Sequence, residues 1–354
     1  MTSESKYKNV LVARFSALGD VAMTIPVVYS ACRCYPGTRF IMITQPVASS
    51  LFINAPQNLV VIGVDVKKKY HGVRGMIRLL SDLRKEYSID AFVDLHSVIR
   101  THVLSICCFL HGIPFAKINK GRGAKRKLTR AHNKDLHLLC TSRDRYFDTY
   151  KRLGFDFPEA FTTVFTEPAD PSIFADITKP KESGEHWIAI APFAKHQGKI
   201  YPPEKMEEVV KILSARPNTR VFLFGGGNEE KAILRSWAEK YHNTFSMAEK
   251  RHGFPKELAL LSYMDCMISM DSANMHLASL VLLPVVSIWG ATHPYCGFTG
   301  WKQSPDNAVQ LDMQCRPCSV FGNKPCQRGD YACLNGITPQ AIIAKVDEIN
   351  ERRI

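Results

Sequence analysis

The chain has 354 residues, 45% hydrophobic and 22% charged, with a formal net charge of +13. The length suits two α/β domains, and the balance is that of an ordinary soluble globular protein. The longest apolar stretch, near Leu277 to Gly290, is too short for a membrane span and contains Pro284. The polar N-terminus, MTSESKYKN, leads directly into a strand, so no signal peptide is expected. The eleven cysteines are accordingly expected to be reduced, in the cytosol.

Strand-like and helix-like runs alternate almost throughout, which predicts parallel sheets built from βαβ units. The first half carries strands at 8–14, 38–44, 58–64 and 90–94, with an amphipathic helix over 73–86. The first strand feeds RFSALGD, a turn without the three glycines of a dinucleotide fingerprint, and it delivers Asp20 to the start of a helix. Residues 116–134 hold eight Lys/Arg and no acidic residue. Such a run is either a solvated loop or a landing site for a polyanion. No aromatic residue lies between Phe115 and Tyr146, so base stacking has little support and no nucleic-acid partner is expected.

A mixed Pro, Asp, Lys and Gly stretch at 167–185 reads as a linker, after which the pattern restarts. Strands are predicted at 187–191, 219–224, 265–270 and 284–290, with a helix at 204–215 carrying Met206, Val209, Val210 and Leu213 at helical spacing. The segment 338–353 reads as an amphipathic helix that packs back across the domains. The expected architecture is two Rossmann-like doubly wound domains facing a central cleft.

Within this frame a few residues could carry chemistry. Asp20 is placed to cap its helix or to remove a proton from a hydroxyl. Lys199, in a loop after the first strand of the second half, suits a phosphate partner or plain solvation. The glycine turn FGGGNEE (224–230) could approach a sugar or phosphate closely, with Glu229 and Glu230 binding ribose or capping their own helix. In MDSANMH (270–276), Asp271 and Ser272 end a strand and open a helix whose free amides suit an anion. His276 lies four residues on, on the same side as Ser272. Cys315, Cys318, Cys326 and Cys333 permit a zinc site by count, although their spacing fits reduced thiols or a labile pair better. No H-E-x-x-H and no D-x-D occurs, so no metal is expected.

Taken in order, these elements resemble glycosyltransferase family 9, the ADP-heptose:lipopolysaccharide heptosyltransferases, over nearly the whole chain. RFSALGDVAMTIP resembles the family opening R-x-S-x-x-G-D-x-x-x-x-x-P, and DLHSVIRT (94–101) resembles D-x-Q-x-x-x-K/R-S with His96 in place of glutamine. APFAKHQGKIYPPEKM resembles the segment ending K-x-W-P, with Tyr201 for tryptophan, and DSANMHLAS resembles D-[ST]-G-x-x-H-L-A, with Ala273 for glycine.

The resemblance implies a GT-B fold and metal-independent, inverting transfer of heptose from ADP-heptose to a lipopolysaccharide inner-core acceptor, peripherally at the inner membrane surface. It implies an acceptor-binding domain over 1–170 and a donor-binding domain over 186–337. Asp20 is then the catalytic base. Lys199, Gly226, Glu229, Glu230, Asp271, Ser272, Ala273 and His276 face the donor. Arg14, Ser16, Gly19, His96, Arg100, Lys125 and Arg126 face the acceptor. Two other readings stay open at this point. One is a GT-B-like enzyme for another nucleotide sugar, by transfer or 2-epimerisation. The other is a basic polyanion-binding protein without catalysis.

Overall fold

The computed structural model describes residues 4–352, and these form two compact units. The first comprises the residues up to Lys120 together with Ser142–Thr166; the second comprises Gly121–Thr141 and the chain from Glu167 onward.

In the first unit the strands are β1 (Asn9–Ala13), β2 (Arg39–Thr44), β3 (Leu59–Gly63), β4 (Ala91–Asp94) and β5 (Phe115–Lys117). They pair in parallel in the order β3-β2-β1-β4-β5. The central strands read as continuous apolar runs because helices cover both faces of the sheet. On one face, Met76, Leu79, Leu80 and Leu83 of helix Gly72–Tyr87 and Leu104, Cys107 and Cys108 of helix Ile99–Leu110 join Leu11, Ile41 and Phe92 in a single core. Truncating Leu80 there to alanine should cost about 2–5 kcal/mol. Helix Gly72–Tyr87 stops where Ser88 turns left-handed at φ 50° and its N–H donates to Arg84 O.

The second unit has β6 (His186–Ala191), β7 (Thr219–Leu223), β8 (Thr244–Ser246), β9 (Cys266–Met270), β10 (Val285–Ile288) and β11 (Ala308–Val309). Again all pairs are parallel, in the order β11-β10-β9-β6-β7-β8. Helix Pro203–Ser214 buries the four apolar residues that its spacing singled out. The 167–185 stretch is irregular apart from a 3-10 turn at Pro171–Phe174. It is anchored by Phe174, which packs against Trp187 and Tyr263.

Both sheets reverse their winding once, between β1 and β4 and between β6 and β9. Chain connections diverge at such points and leave room for a ligand at the carboxyl ends of the two strands.

Two expectations are corrected. The terminal helix, Pro339–Glu351, expected to pack back across the domains, packs on its own unit's helix Pro203–Ser214 and strands β9 to β11. Ile342, Val346 and Ile349 are buried there, and Arg216 clasps Asp347 with two contacts of 2.5 and 3.0 Å. The last two residues of the expected 338–354 segment lie outside the described ones. Residues 121–141, expected within a domain spanning 1–170, cluster with the second unit. Leu128 and Leu139 bury against Cys296, flanked by Ala124 and Phe298. Leu139 N–H donates to Tyr295 O at 2.9 Å, and a Cβ on Gly297 would lie 2.8 Å from Cys140 O. A basic composition did not reveal these few apolar anchors.

Candidate functional site

At the carboxyl end of β1 the chain leaves the sheet through Arg14, buried, and Phe15, buried, and starts helix Leu18–Ala22 with Asp20 in its first turn. Asp20 Oδ2 takes Arg14 Nη2 at 2.6 Å and accepts the Ala17 N–H at 3.2 Å. The capping role therefore exists, and an ion pair is added to it. Arg14 is fixed from behind, donating from Nη1 to Leu95 O at 2.6 Å. Burial alone would lower its pKa, yet Tyr146 and the Asp20 carboxylate beside it leave it raised. The Tyr146 ring lies beside the guanidinium, and its hydroxyl donates to Asp20 O at 3.2 Å. Of the pair, Arg14 side-chain atoms are 9% exposed and those of Asp20 36%, so the carboxylate is the partner shown to solvent.

Across the switch point, β4 ends at Asp94, whose Oδ1 accepts the His96 and Ser97 N–H groups at 2.8 Å each. Burial raises the Asp94 carboxyl, against the lowering effect of those two amides. His96 bridges back to the β1 loop: Phe15 N–H donates to Nδ1 at 3.4 Å, and Ser16 Oγ is 3.4 Å from Nε2. Burial, aided by the Arg14 charge, holds its pKa down at about 3, so the ring is neutral at pH 7. With Nδ1 accepting, the proton resides on Nε2 and points at Ser16. Such a ring is a poor proton acceptor, whereas a carboxylate paired with arginine is ionised and can accept. Gly19 is buried within the short helix, and Arg100 is exposed on the first turn of helix Ile99–Leu110. Arg14, Ser16, Gly19, Asp20 and His96 thus come together, with Arg100 following the same strand.

The second constellation forms at the carboxyl ends of β6 and β9. Lys199 lies in the 3-10 turn Gln197–Lys199, and its Nζ meets Asp271 Oδ2 at 2.7 Å. That oxygen also accepts Thr292 Oγ1–H at 2.9 Å, from the loop after β10. The turn is close-packed. A Cβ on Gly198 would lie 2.8 Å from Gly322 O and 2.9 Å from the Ala291 side chain. A Cβ on Gly322, which has φ +70°, would strike the Lys199 stem at 2.6 Å. Glycine at these two places lets backbone close over the lysine. Ser272 is the extended residue before helix Ala273–Leu280; its hydroxyl makes no cap and lies 3.3 Å from Ser269 Oγ. The first amides of that helix accordingly point out beside Lys199 and Asp271 as a site for an anion. His276 is partly buried on the same helix, within its second turn.

The glycine turn behaves differently. Gly226 N–H donates to Glu230 Oε2 at 2.7 Å, so Glu230 closes its own loop while Glu229 stays exposed. A Cβ on Gly225 would meet Leu234 at 2.7 Å, while Gly226 has open space around it. Lys125 and Arg126, on helix Arg122–Leu128, belong to the second unit, with Lys125 Nζ 4.4 Å from the Phe298 ring centre.

Sequence reasoning missed Arg316, Thr292 and His293. Arg316 is buried and donates to Gly290 O, Leu311 O, Trp289 O, Thr292 O and Gln310 Oε1, tying the loop after β10 to the segment beyond β11. Burial lowers its pKa, outweighing the nearby cysteines and Asp312, which act to raise it. His293 is neutral, held down to about 4 by burial and by the Arg316 charge. With Tyr295 and Lys134, Arg316 and His293 line a cavity of about 720 Å³ in the second unit. Thr292 could have been found as a residue just past a strand beside the switch point; Arg316 sits in an irregular stretch with no periodicity to mark it. Tyr201, at the family's tryptophan position, is buried and donates to Ile337 O at 3.0 Å. The eleven cysteines are free thiols. Among the described residues no three His, Cys, Asp or Glu side chains are arranged to hold a metal, and no helix is long and apolar enough to cross a membrane.

Comparison with known proteins follows the same line. The description of glycosyltransferase family 9 (heptosyltransferase) matches residues 67–327. The lipopolysaccharide core heptosyltransferase OpsX of Haemophilus influenzae is 24% identical over 296 residues, which is 81% of this chain and 80% of that protein. Among solved structures, the glycosyl transferase family 9 protein of Veillonella parvula superposes with a TM-score of 0.74 at 16% identity, covering 99% of each chain. The E. coli heptosyltransferase WaaC with ADP gives 0.64 at 17% identity, covering 96% of this chain and 99% of its own. The fold is the GT-B fold of these glycosyltransferases.

Proposed function

From the premise that the chain belongs to glycosyltransferase family 9 and is a heptosyltransferase-type glycosyltransferase, we propose that it moves heptose from ADP-heptose to a lipopolysaccharide inner-core acceptor, with inversion and without a metal. The first unit takes the acceptor and the second the donor. One observation carries this reading: each predicted constellation falls at the switch point of its own sheet, a carboxylate in one and a cation with a helix N-terminus in the other. A polyanion-binding protein without catalysis has no use for either.

Asp20 accepts the proton of the acceptor hydroxyl as that oxygen attacks the anomeric carbon. The bond from that carbon to the diphosphate oxygen breaks on the opposite face, its electron pair leaving with ADP. Lys199 exchanges Asp271 for the diphosphate, and the amides from Ala273 onward share the leaving charge. Such oriented donors contribute several kcal/mol to the transition state. Ser272 hydrogen-bonds phosphate, while Asp271 and Thr292 position the lysine. Glu229 takes the ribose hydroxyls, and Gly226 allows the nucleoside to approach. His276 orients this end of the helix. On the acceptor side Arg14 keeps Asp20 ionised, Ser16, Gly19 and His96 shape the loop, and Arg100, Lys125 and Arg126 meet acceptor phosphates.

Asp20→Ala should abolish transfer while ADP affinity stays nearly intact, as read by product formation and ADP titration. Turnover persisting in that variant would remove the base role. Transfer should also continue in excess chelator, and its loss there would remove the metal-independent mechanism.

A further inference from the structure

Helix Ile99–Leu110 is apolar on both sides. Its inner side, Leu104, Cys107 and Cys108, is spent on the sheet. Its outer side carries Ile99, Ile106 and Leu110, seven and four residues apart and so on one side of the helix, with Phe109 beside them, while Val103 is half-buried against the core. Ile99 is 81% exposed, Ile106 59%, and Phe109 and Leu110 73% each. The neighbouring helix Gly72–Tyr87, packed on the same face of the sheet, adds exposed Val73 and Ile77. Large apolar side chains left exposed together on two neighbouring helices mark a contact surface.

The charge around the patch names the contact. Residues 67–78, KKKYHGVRGMIR, contain Lys67, Lys68, Lys69, Arg74 and Arg78 with no acidic residue, and all five are exposed. From Leu95 to Lys134 the chain has no Asp or Glu at all. The acids nearest in sequence to the patch are occupied: Asp65 accepts the Lys67 and Lys68 amides, and Asp82 accepts the Tyr70 hydroxyl. Both helices run from the carboxyl edge of the sheet, so Val73, Ile77, Ile99 and the cations lie at the edge that carries Asp20. Phe109 and Leu110 lie about 15 Å further along, from the helical rise.

We propose that the outer face of this two-helix layer is a docking surface for an anionic lipid bilayer. The aliphatic and Phe109 side chains enter the headgroup boundary, while Lys67, Lys68, Lys69, Arg74 and Arg78 meet lipid phosphates. This deepens the functional reading by naming the surface through which a lipid-borne acceptor is met, but it does not depend on the role of Asp20.

The test is co-sedimentation of the full chain with vesicles of phosphatidylethanolamine containing about one-quarter phosphatidylglycerol, against neutral vesicles. The wild type should bind the anionic vesicles and release in high salt. Ile106→Ser/Phe109→Ser/Leu110→Ser and Lys67→Glu/Lys68→Glu/Lys69→Glu should each weaken binding about tenfold or more, with thermal unfolding unchanged because every altered residue is exposed. Absence of wild-type binding, or undiminished binding by both variants, overturns the proposal. So does a dimer in sedimentation velocity that the serine variant disperses, since the occupant is then a second copy. Transfer to a delipidated, soluble acceptor should be equal in wild type and both variants. Its loss in Asp20→Ala is read separately, so the docking surface and the base assignment fail independently.

Discussion

The two switch points have the same topology and opposite polarity. In the first, a buried cation, Arg14, holds a carboxylate that is 36% exposed; in the second, a carboxylate with 5% exposure, Asp271, holds Lys199. Each sheet therefore places a strand-end pair where ligands collect, with the buried member fixing the presented one. The presented groups differ in the way the proposed chemistry requires, with an anion to take the proton of a hydroxyl and a cation to receive a diphosphate. The second pair is also drier. Its lysine is only 13% exposed, so its charge is screened less by water and acts more strongly on a bound anion.

The largest effect expected from breaking this contrast is on the first pair. Asp20→Asn keeps the shape and the Ala17 contact but cannot accept a proton. Its kcat should fall about 10²–10⁴-fold, the span for loss of general base catalysis, with ADP binding unchanged. A matching loss of ADP affinity would mean that the first switch point, too, holds the nucleotide.

On the second pair, Lys199→Met should weaken ADP binding, seen by calorimetry. It should also destabilise the fold by about 3–5 kcal/mol, because Asp271 is left buried and uncompensated. The double variant Lys199→Met/Asp271→Asn should recover stability but not ADP affinity. Recovery of both would mean that the lysine serves only the carboxylate. Thr292→Val removes one hydrogen bond to Asp271 and should cost about 1–3 kcal/mol in urea unfolding. A neutral result would exclude Thr292 as the support of this pair.

Much of this was legible in the sequence because parallel strands buried on both faces leave long apolar runs, and strand-end loops follow directly. Asp20, Lys199 and Asp271 all sit just past such runs, and their order along the chain carried the family resemblance. What was hidden depends on packing at a distance. The few apolar residues that tie 121–141 to the second unit are outnumbered by lysines and arginines. Arg316 acts through carbonyls of a loop 24 to 27 residues away, which no local pattern encodes. Nor does any local pattern reveal that the Glu230 carboxylate accepts the Gly226 N–H.

An effect that appears only on acidification concerns His96, which joins the two halves of the first switch point. Its folded pKa is held near 3 against 6.5 for the free side chain, chiefly by burial. Between those values the unfolded chain binds a proton that the folded chain does not, so stability falls as pH drops below about 6.5, by about 1.4 kcal/mol per unit. His96→Gln retains an acceptor for Phe15 N–H and removes the titration. From pH 7 to pH 5 the wild type should therefore lose about 2 kcal/mol more than the variant in paired urea unfolding curves. His293, also depressed, to about 4, contributes equally to both proteins and cancels. Equal losses would mean that His96 is solvated in the folded state, and the bridge from β4 to the Asp20 loop would then lose its dry contact. A larger loss in the wild type would show that the acid sensitivity of this region belongs to the latch beside the carboxylate rather than to the carboxylate itself.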